Sequence, residues 1–129
     1  MSEDFHAHVY FDATTRAAAQ RVHDGLLARF AVEARWRDGP IGPHPIANVR
    51  VKLSAHQFGE VVPWLMRHRS GLSVLVHPYS EDHVSDHTER ALWLGDRIAL
   101  DIDFLRRHET RASLAPPPSP PSSVSAPRG

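Results

Sequence analysis

Three stretches of the chain read as strands, "FHAHVYF" (residues 5–11), rich in aromatic and β-branched residues, "NVRVKLS" (48–54), which alternates cleanly, and "LSVLVHP" (72–78), stopped by Pro78, and each is separated from the next by a stretch of helical period. Side chains alternate across a strand but recur every three or four residues on one helix face, so the switch of period separates strands from helices. In "TRAAAQRVHDGLLARF", Ala18, Val22, Leu26 and Phe30 fall four apart, with Ala19 and Leu27 alongside. Asp12 and Thr14 offer N-cap oxygens to this helix, and Gly25 is a weak spot within it. In "AHQFGEVVPWLMRHR" the inner stripe is Phe58, Val62, Leu65 and Met66, with Ser54 as cap. Pro63 predicts a kink or break, and "RSG" ends the helix with Gly71 at the C′ position.

The remaining segments complete an order. "AVEARW" alternates and reads as a strand, followed by "RDGPIGPHPIA", whose two Gly and three Pro make a rigid loop. "YSEDHVSDHTERALWLG" is polar at first and then suits one or two helical turns. "RIALDIDFL" alternates Ile98, Leu100, Ile102 and Phe104, a fifth strand or extended arm. The sum is βαββαβ, a short helix and an extra C-terminal strand: an α+β, ferredoxin-like fold with an antiparallel sheet and both long helices on one face. In that topology the fourth strand lies beside the first. The other face would be open, which suits a homodimer through that face or through the last strand, or else a monomer whose polar face meets water.

Residues 1–111 make up the expected domain. Residues 112–129 hold six of the 11 prolines among Ser and Ala, a composition that builds neither ladder nor helix, and are expected to form a disordered or polyproline-like tail. Charge is balanced, 15 Lys+Arg against 15 Asp+Glu, which argues against nucleic acid or an acidic membrane as partner. There is no cysteine, so disulfides and thiolate metal sites are excluded. The N-terminus carries no signal-peptide pattern and no apolar run approaches a membrane span, which together lead to the expectation of a cytoplasmic protein.

Ten histidines are the notable excess. His6 and His8 sit two apart on one strand and share a face with Tyr10, about 6.5–7 Å from each other. Phe5, Ala7, Val9 and Phe11 take the opposite, core face. Alone, the histidine pair reads first as polar residues on a solvated face. His44 stands between Pro43 and Pro45, a stiffened position suited to a ligand or an incidental loop residue. His77 ends a strand before Pro78. His83 and His87 are four apart, among Glu81, Asp82, Asp86 and Glu89; they are placed to chelate on a helix, to be oriented by an adjacent Asp, or simply to solvate a loop. His23, His56, His68 and His108 fall on expected exposed positions without a role. Four histidine-bearing segments with no thiolate give a nitrogen, or nitrogen and oxygen, donor set suited to Zn²⁺, Fe²⁺, Mn²⁺ or Cu²⁺. Two or three His with open positions form a catalytic rather than a structural pattern.

The ordered set "FHAHVYFD", "GPIGPHP", "LSVLVHP", "DHTERALWLG" and "LDIDFL" resembles the DOPA 4,5-dioxygenase family over nearly the whole folded part, about Phe5 to Leu105. The resemblance implies a dimeric extradiol enzyme that uses non-haem Fe²⁺ and O₂ to open a catechol such as L-DOPA, giving a seco-DOPA; Zn²⁺ is the expected substitute in purified or crystallised protein. It implies His8, His44 and His77 as metal ligands, with His6 as alternate ligand or proton-accepting base. His87, held by Asp86, would be the acid/base or substrate-hydroxyl partner. Tyr10 and Trp93 would flank the ring and Arg50 would meet a substrate carboxylate. The familiar extradiol site has two His and one carboxylate; here Asp86 or Glu89 would supply the carboxylate, or the site is all-histidine. The alternative is a non-catalytic ferredoxin-like dimer that binds a metal or a small aromatic.

Overall fold

A computed structural model describes residues 4–114. The elements are β1 (Asp4–Tyr10), a 3₁₀ turn (Ala13–Thr15), α1 (Arg16–Arg29), β2 (Glu33–Arg37), β3 (Asn48–Ser54), α2 (Ala55–His68), β4 (Val74–Pro78), α3 (His83–His87), β5 (Leu92–Leu94) and α4 (Ile102–Leu114). The sheet order is β2-β3-β1-β4-β5 and every pairing is antiparallel. This is the ferredoxin-like α+β arrangement with one added strand, and β4 does lie beside β1.

One face of the sheet holds the core. Ala7, Val9, Val49, Val51, Leu53 and Val74 point there, and they pack on Ala19, Val22 and Leu26 of α1 and on Val61, Val62 and Leu65 of α2. Capping contacts lead into both helices, at the 3₁₀ turn before α1 and at the start of α2. The Asp12 carboxylate accepts from the Thr14 and Thr15 N–H groups at 2.9 and 3.1 Å, and the Ser54 N–H donates to Gln57 Oε1 at 2.9 Å. Two residues of the expected stripes fall outside the core: Leu27 is 45% exposed and Met66 55%. Residues four apart drift about 40° round the helix, so the buried arc centres on Ala19, Val22 and Leu26 and on Val61 and Leu65 instead. Gly25 has a packing reason: a Cβ there would lie 2.8 Å from two Trp64 ring atoms. Pro63 does not break α2, which runs unbroken to His68. Pro63 and Gly59 are both exposed, so water reaches the carbonyl that the proline leaves unbonded.

The C-terminal part differs from the expectation. The helix after Pro78 forms early, on "HVSDH", and the added strand is "LWL", Leu92–Leu94, rather than "RIALDIDFL". Gly95, at φ 78°, turns the chain after β5. Asp101 then caps α4 by accepting from the Phe104 N–H at 3.1 Å. Ile102 and Leu105 are three apart, so the apparent alternation also fits a helix, and Leu105 is buried. α4 runs to Leu114, so the boundary expected after 111 falls within it; residues 115–129 of the expected tail lie outside the described residues.

The second sheet face is covered, not open. The 38–47 loop folds over it, closed by a bridge between Ile41 and His44, and α3 lies beside it, with the His87 ring 4.0 Å from that of His77. α4 packs on α3, and the Asp101 N–H donates to the Pro43 carbonyl at 2.8 Å, tying the α4 start to the loop. Among the described residues no helix is long and apolar enough to cross a membrane.

Candidate metal centre

Cross-strand register builds the site. His6 faces His77 across β1–β4 and Lys52 across β1–β3; His8 faces Arg50. Directly opposed residues share a face, so three rows run across the covered side of the sheet. They are Glu33-Lys52-His6-His77, Arg35-Arg50-His8-Leu75-Trp93 and Arg37-Asn48-Tyr10. The histidines take the β1/β4 half and the cations the β2/β3 half.

His6, His8 and His77 are buried, and each offers a ring nitrogen such that all three nitrogens lie within 4.8 Å of one another. The hydrogen bonds fix which nitrogens these are. Asn48 Nδ2 donates to the Ile46 carbonyl at 3.2 Å, which turns Asn48 Oδ1 toward His8 Nδ1 at 3.0 Å. That oxygen only accepts, so His8 Nδ1 carries a proton. His77 Nδ1 faces the Pro78 carbonyl at 2.7 Å and must likewise be the donor. A neutral imidazole has one N–H, so both Nε2 atoms present lone pairs, and these face each other at 3.2 Å. Two bare lone pairs repel. Two ligands on one metal with bonds of about 2.1 Å at 90–110° would sit roughly 3.0–3.4 Å apart. His6 makes no hydrogen bond among the described residues, so either of its nitrogens is free to join them. The donor set therefore fits a divalent metal.

Burial holds these rings neutral. It lowers His6 to about 4, with Arg50 and Lys52 adding to the effect. It lowers His77 to about 3, with His87 adding, and His8 lies well below its ordinary value for the same first reason. Neutral imidazole is the ligating form.

The other expected residues stand around this group. The His44 ring stacks on His8 at 3.9 Å, and its Nδ1 meets the Tyr10 hydroxyl at 2.7 Å. The expected trio of His8, His44 and His77 thus differs by one member from the group whose nitrogens converge; stacking presents the face of His44, not a lone pair, to His8. His87 Nδ1 donates to the His83 carbonyl at 2.7 Å, which leaves its Nε2 as an acceptor. Asp86 does not hold it: the Asp86 carboxylate is fully buried and accepts from the Ser80 N–H at 2.7 Å, the Ser80 hydroxyl and Arg90. Glu89 is exposed. Neither carboxylate joins the histidines, and the converging group is all-histidine.

A pocket of about 190 Å³ opens on the group, lined by the three histidines and by His44, His87, Tyr79, Arg37 and Arg50 among others. Tyr79 stacks on His6 at 4.9 Å. Tyr10 and Trp93 stack on each other at 5.9 Å and do not line it; Tyr10 touches two residues that do, hydrogen-bonding to His44 and stacking on His8. Asn48, Tyr79 and Arg37 were not singled out in the sequence. Arg37 was findable, because Arg35 and Arg37 alternate with apolar residues in "EARWR" as Arg50 and Lys52 do in "NVRVKLS".

The sequence profile of the Dopa 4,5-dioxygenase family matches residues 5–104. The chain belongs to the Dopa 4,5-dioxygenase family. It is 31% identical over 110 residues to the DOPA 4,5-dioxygenase of Amanita muscaria, a match covering 78% of this chain and 48% of that one. It is 42% identical over 81 residues to an uncharacterised 21.2 kDa protein of Botryotinia fuckeliana, covering 57% and 44%. The chain thus spans about half the length of these curated relatives. A crystal structure of a candidate dioxygenase from Nostoc punctiforme superposes with a TM-score of 0.80 at 55% identity, covering 83% of this chain and 94% of that one. Within this dioxygenase family, the chain offers three converging neutral imidazoles under a small pocket.

Proposed function

We propose that the protein is a non-haem Fe²⁺ extradiol dioxygenase that opens the ring of a catechol beside its two hydroxyls. The observation that carries this reading is the 3.2 Å approach of two Nε2 lone pairs, those of His8 and His77, with His6 beside them. His6, His8 and His77 would hold the metal at the floor of the pocket that would admit the catechol. When bound, the iron supplies a cation that favours the ionised catechol and a centre at which O₂ reacts with it. Both oxygen atoms enter the product, so no external reductant is consumed.

The chain's own groups handle the protons. His87 Nε2 is a lone pair on the pocket wall, and burial keeps it in the accepting form at neutral pH. It takes the first catechol proton and can return it to the opened product. Burial raises Tyr10 above the usual phenol range, so its hydroxyl stays protonated. With the Tyr10 hydroxyl donating to His44 Nδ1, His44 carries its own proton on Nε2. That hydrogen is a donor for a developing oxyanion. Asn48 and the Pro78 carbonyl orient the two ligating rings. As a dimer the protein would pair through β5, the open sheet edge on which Leu92 is exposed.

The test is anaerobic reconstitution with Fe²⁺ followed by O₂-electrode readings with L-DOPA and other catechols. Stoichiometric O₂ uptake with a new visible absorption supports the reading. Metal uptake without O₂ consumption by any catechol overturns it in favour of a non-catalytic metal-binding dimer.

A further inference from the structure

We infer that the side chain of the substrate is a carboxylate without an ammonium group: the pocket selects a catechol acid over a catechol amino acid or amine. The catechol half of this ligand rests on the ring-cleavage reading; the carboxylate half rests on two arginines.

The cations come from one sheet region. Arg35, Arg37, Arg50 and Lys52 occupy the same face of β2 and β3, beside the histidine rows. Two of them, Arg37 and Arg50, line the pocket. Lys52 is drawn outward to Asp4 at 3.9 Å, and Arg35 to Glu33 at 3.6 Å. Arg37 makes no ion pair among the described residues. Arg50 has one ion pair among the described residues, a long 3.5 Å approach of its Nη2 to the same Glu33.

Arg50 Nε is buried and has no hydrogen-bond partner. An unmet buried donor on a cation is costly, and such groups are rare in folded proteins. A guanidinium presents Nε–H and Nη–H as a fork matched to the two oxygens of a carboxylate. Arg37, two residues along β2 from Arg35, adds a second positive charge at the same pocket. Mutual repulsion of these cations is relieved when an anion enters between them.

The same lining argues against an ammonium. Among the described residues no Asp or Glu lines this pocket. Glu33 is shared between Arg35 and Arg50 and is 52% exposed at its side chain, outside the lining. Asp86 is buried among its own partners. A zwitterionic side chain would bring its positive end toward two guanidiniums with no carboxylate to answer it, and specificity follows from that unpaired charge.

The experiment measures binding and turnover side by side. Titrate the metal-loaded protein anaerobically, by tryptophan fluorescence and calorimetry, with 3-(3,4-dihydroxyphenyl)propanoate, L-DOPA, dopamine and 4-ethylcatechol. The propanoate is expected to bind at least tenfold more tightly than each of the other three. In Arg50→Gln and in Arg37→Gln its advantage over 4-ethylcatechol is expected to shrink at least fivefold, with 4-ethylcatechol affinity little changed. Equal or tighter binding of L-DOPA, or arginine variants that weaken acid and neutral catechols alike, overturns the inference. O₂ uptake with every catechol at the same efficiency keeps the ring-cleavage reading and rejects the selectivity. Selective binding with no O₂ uptake does the opposite.

Discussion

At the residue scale, the decisive atoms are four ring nitrogens and the two acceptors that fix them. Asn48 Oδ1 and the Pro78 carbonyl each take an Nδ1 proton, and so aim the Nε2 atoms of His8 and His77 at one another. His8→Ala and His77→Ala should each lower divalent-metal affinity by more than 100-fold, read by anaerobic metal titration. Asn48→Ala should lower it by about 10–100-fold, as for other partners that orient ligating histidines. His44→Ala separates the two ligand sets: it should keep one metal per chain while O₂ uptake falls by about 10²-fold or more, since the donor on the pocket wall is lost. Loss of the metal in His44→Ala would restore the trio expected from the sequence. Period-2 spacing was enough to place His6 and His8 on one face, because a strand has only two sides, and the βαββαβ order placed the strand of His77 beside them. It could not choose between His6 and His44. That choice depends on a loop conformation, the Ile41–His44 bridge, and on the stacking of His44 over His8.

At the element scale, the site is carried by strands and closed by short pieces that pack little of their own. α3 is five residues long and is held by Asp86, which ties Ser80 and Arg90 together. Asp86→Ala should cost about 2 kcal/mol, from two lost buried partners and one half-exposed ion pair. It should also lower turnover by loosening His87, with metal retained; thermal melts and metal analysis check both parts. Gly25→Ala should lower stability, although alanine is the better helix former by about 1 kcal/mol. Its methyl would meet the Trp64 ring at 2.8 Å, and overpacking of this kind costs about 1–3 kcal/mol. A rise in melting temperature would show that Trp64 can move aside. The helices and the first four strands were legible because their apolar residues keep one period. The last third was not. In "RIALDIDFL" the residues Ile102, Phe104 and Leu105 satisfy both periods, and the capping Asp101 and the turn at Gly95 decide for an extended run followed by a helix. Because α4, α3 and the loop then cover the histidine face, the open face that argued for a dimer is absent.

At the scale of the whole molecule, the buried imidazoles link stability to pH. His6 is lowered to about 4 and His44 and His77 to about 3, each chiefly by burial, while the unfolded chain keeps the ordinary value of 6.5. As pH falls below about 6.5, the unfolded chain takes up protons that the folded chain refuses, so stability falls until the folded values are reached. At pH 5 each such histidine contributes about 2 kcal/mol of loss. Together the three approach the roughly 5–15 kcal/mol total of a small domain. Metal-free protein should therefore melt much lower at pH 5 than at pH 7; equal melting temperatures would mean that these rings are hydrated or paired. Bound metal should shift the loss to lower pH, because protons must displace it. The central claim is the identity of the metal ligands. Anomalous diffraction from Fe²⁺- or Zn²⁺-loaded crystals, collected at the metal edge, tests it most directly. The predicted result is one peak about 2.0–2.2 Å from single nitrogens of His6, His8 and His77. A peak coordinated by His44 in place of His6, or no peak among these histidines, would contradict it.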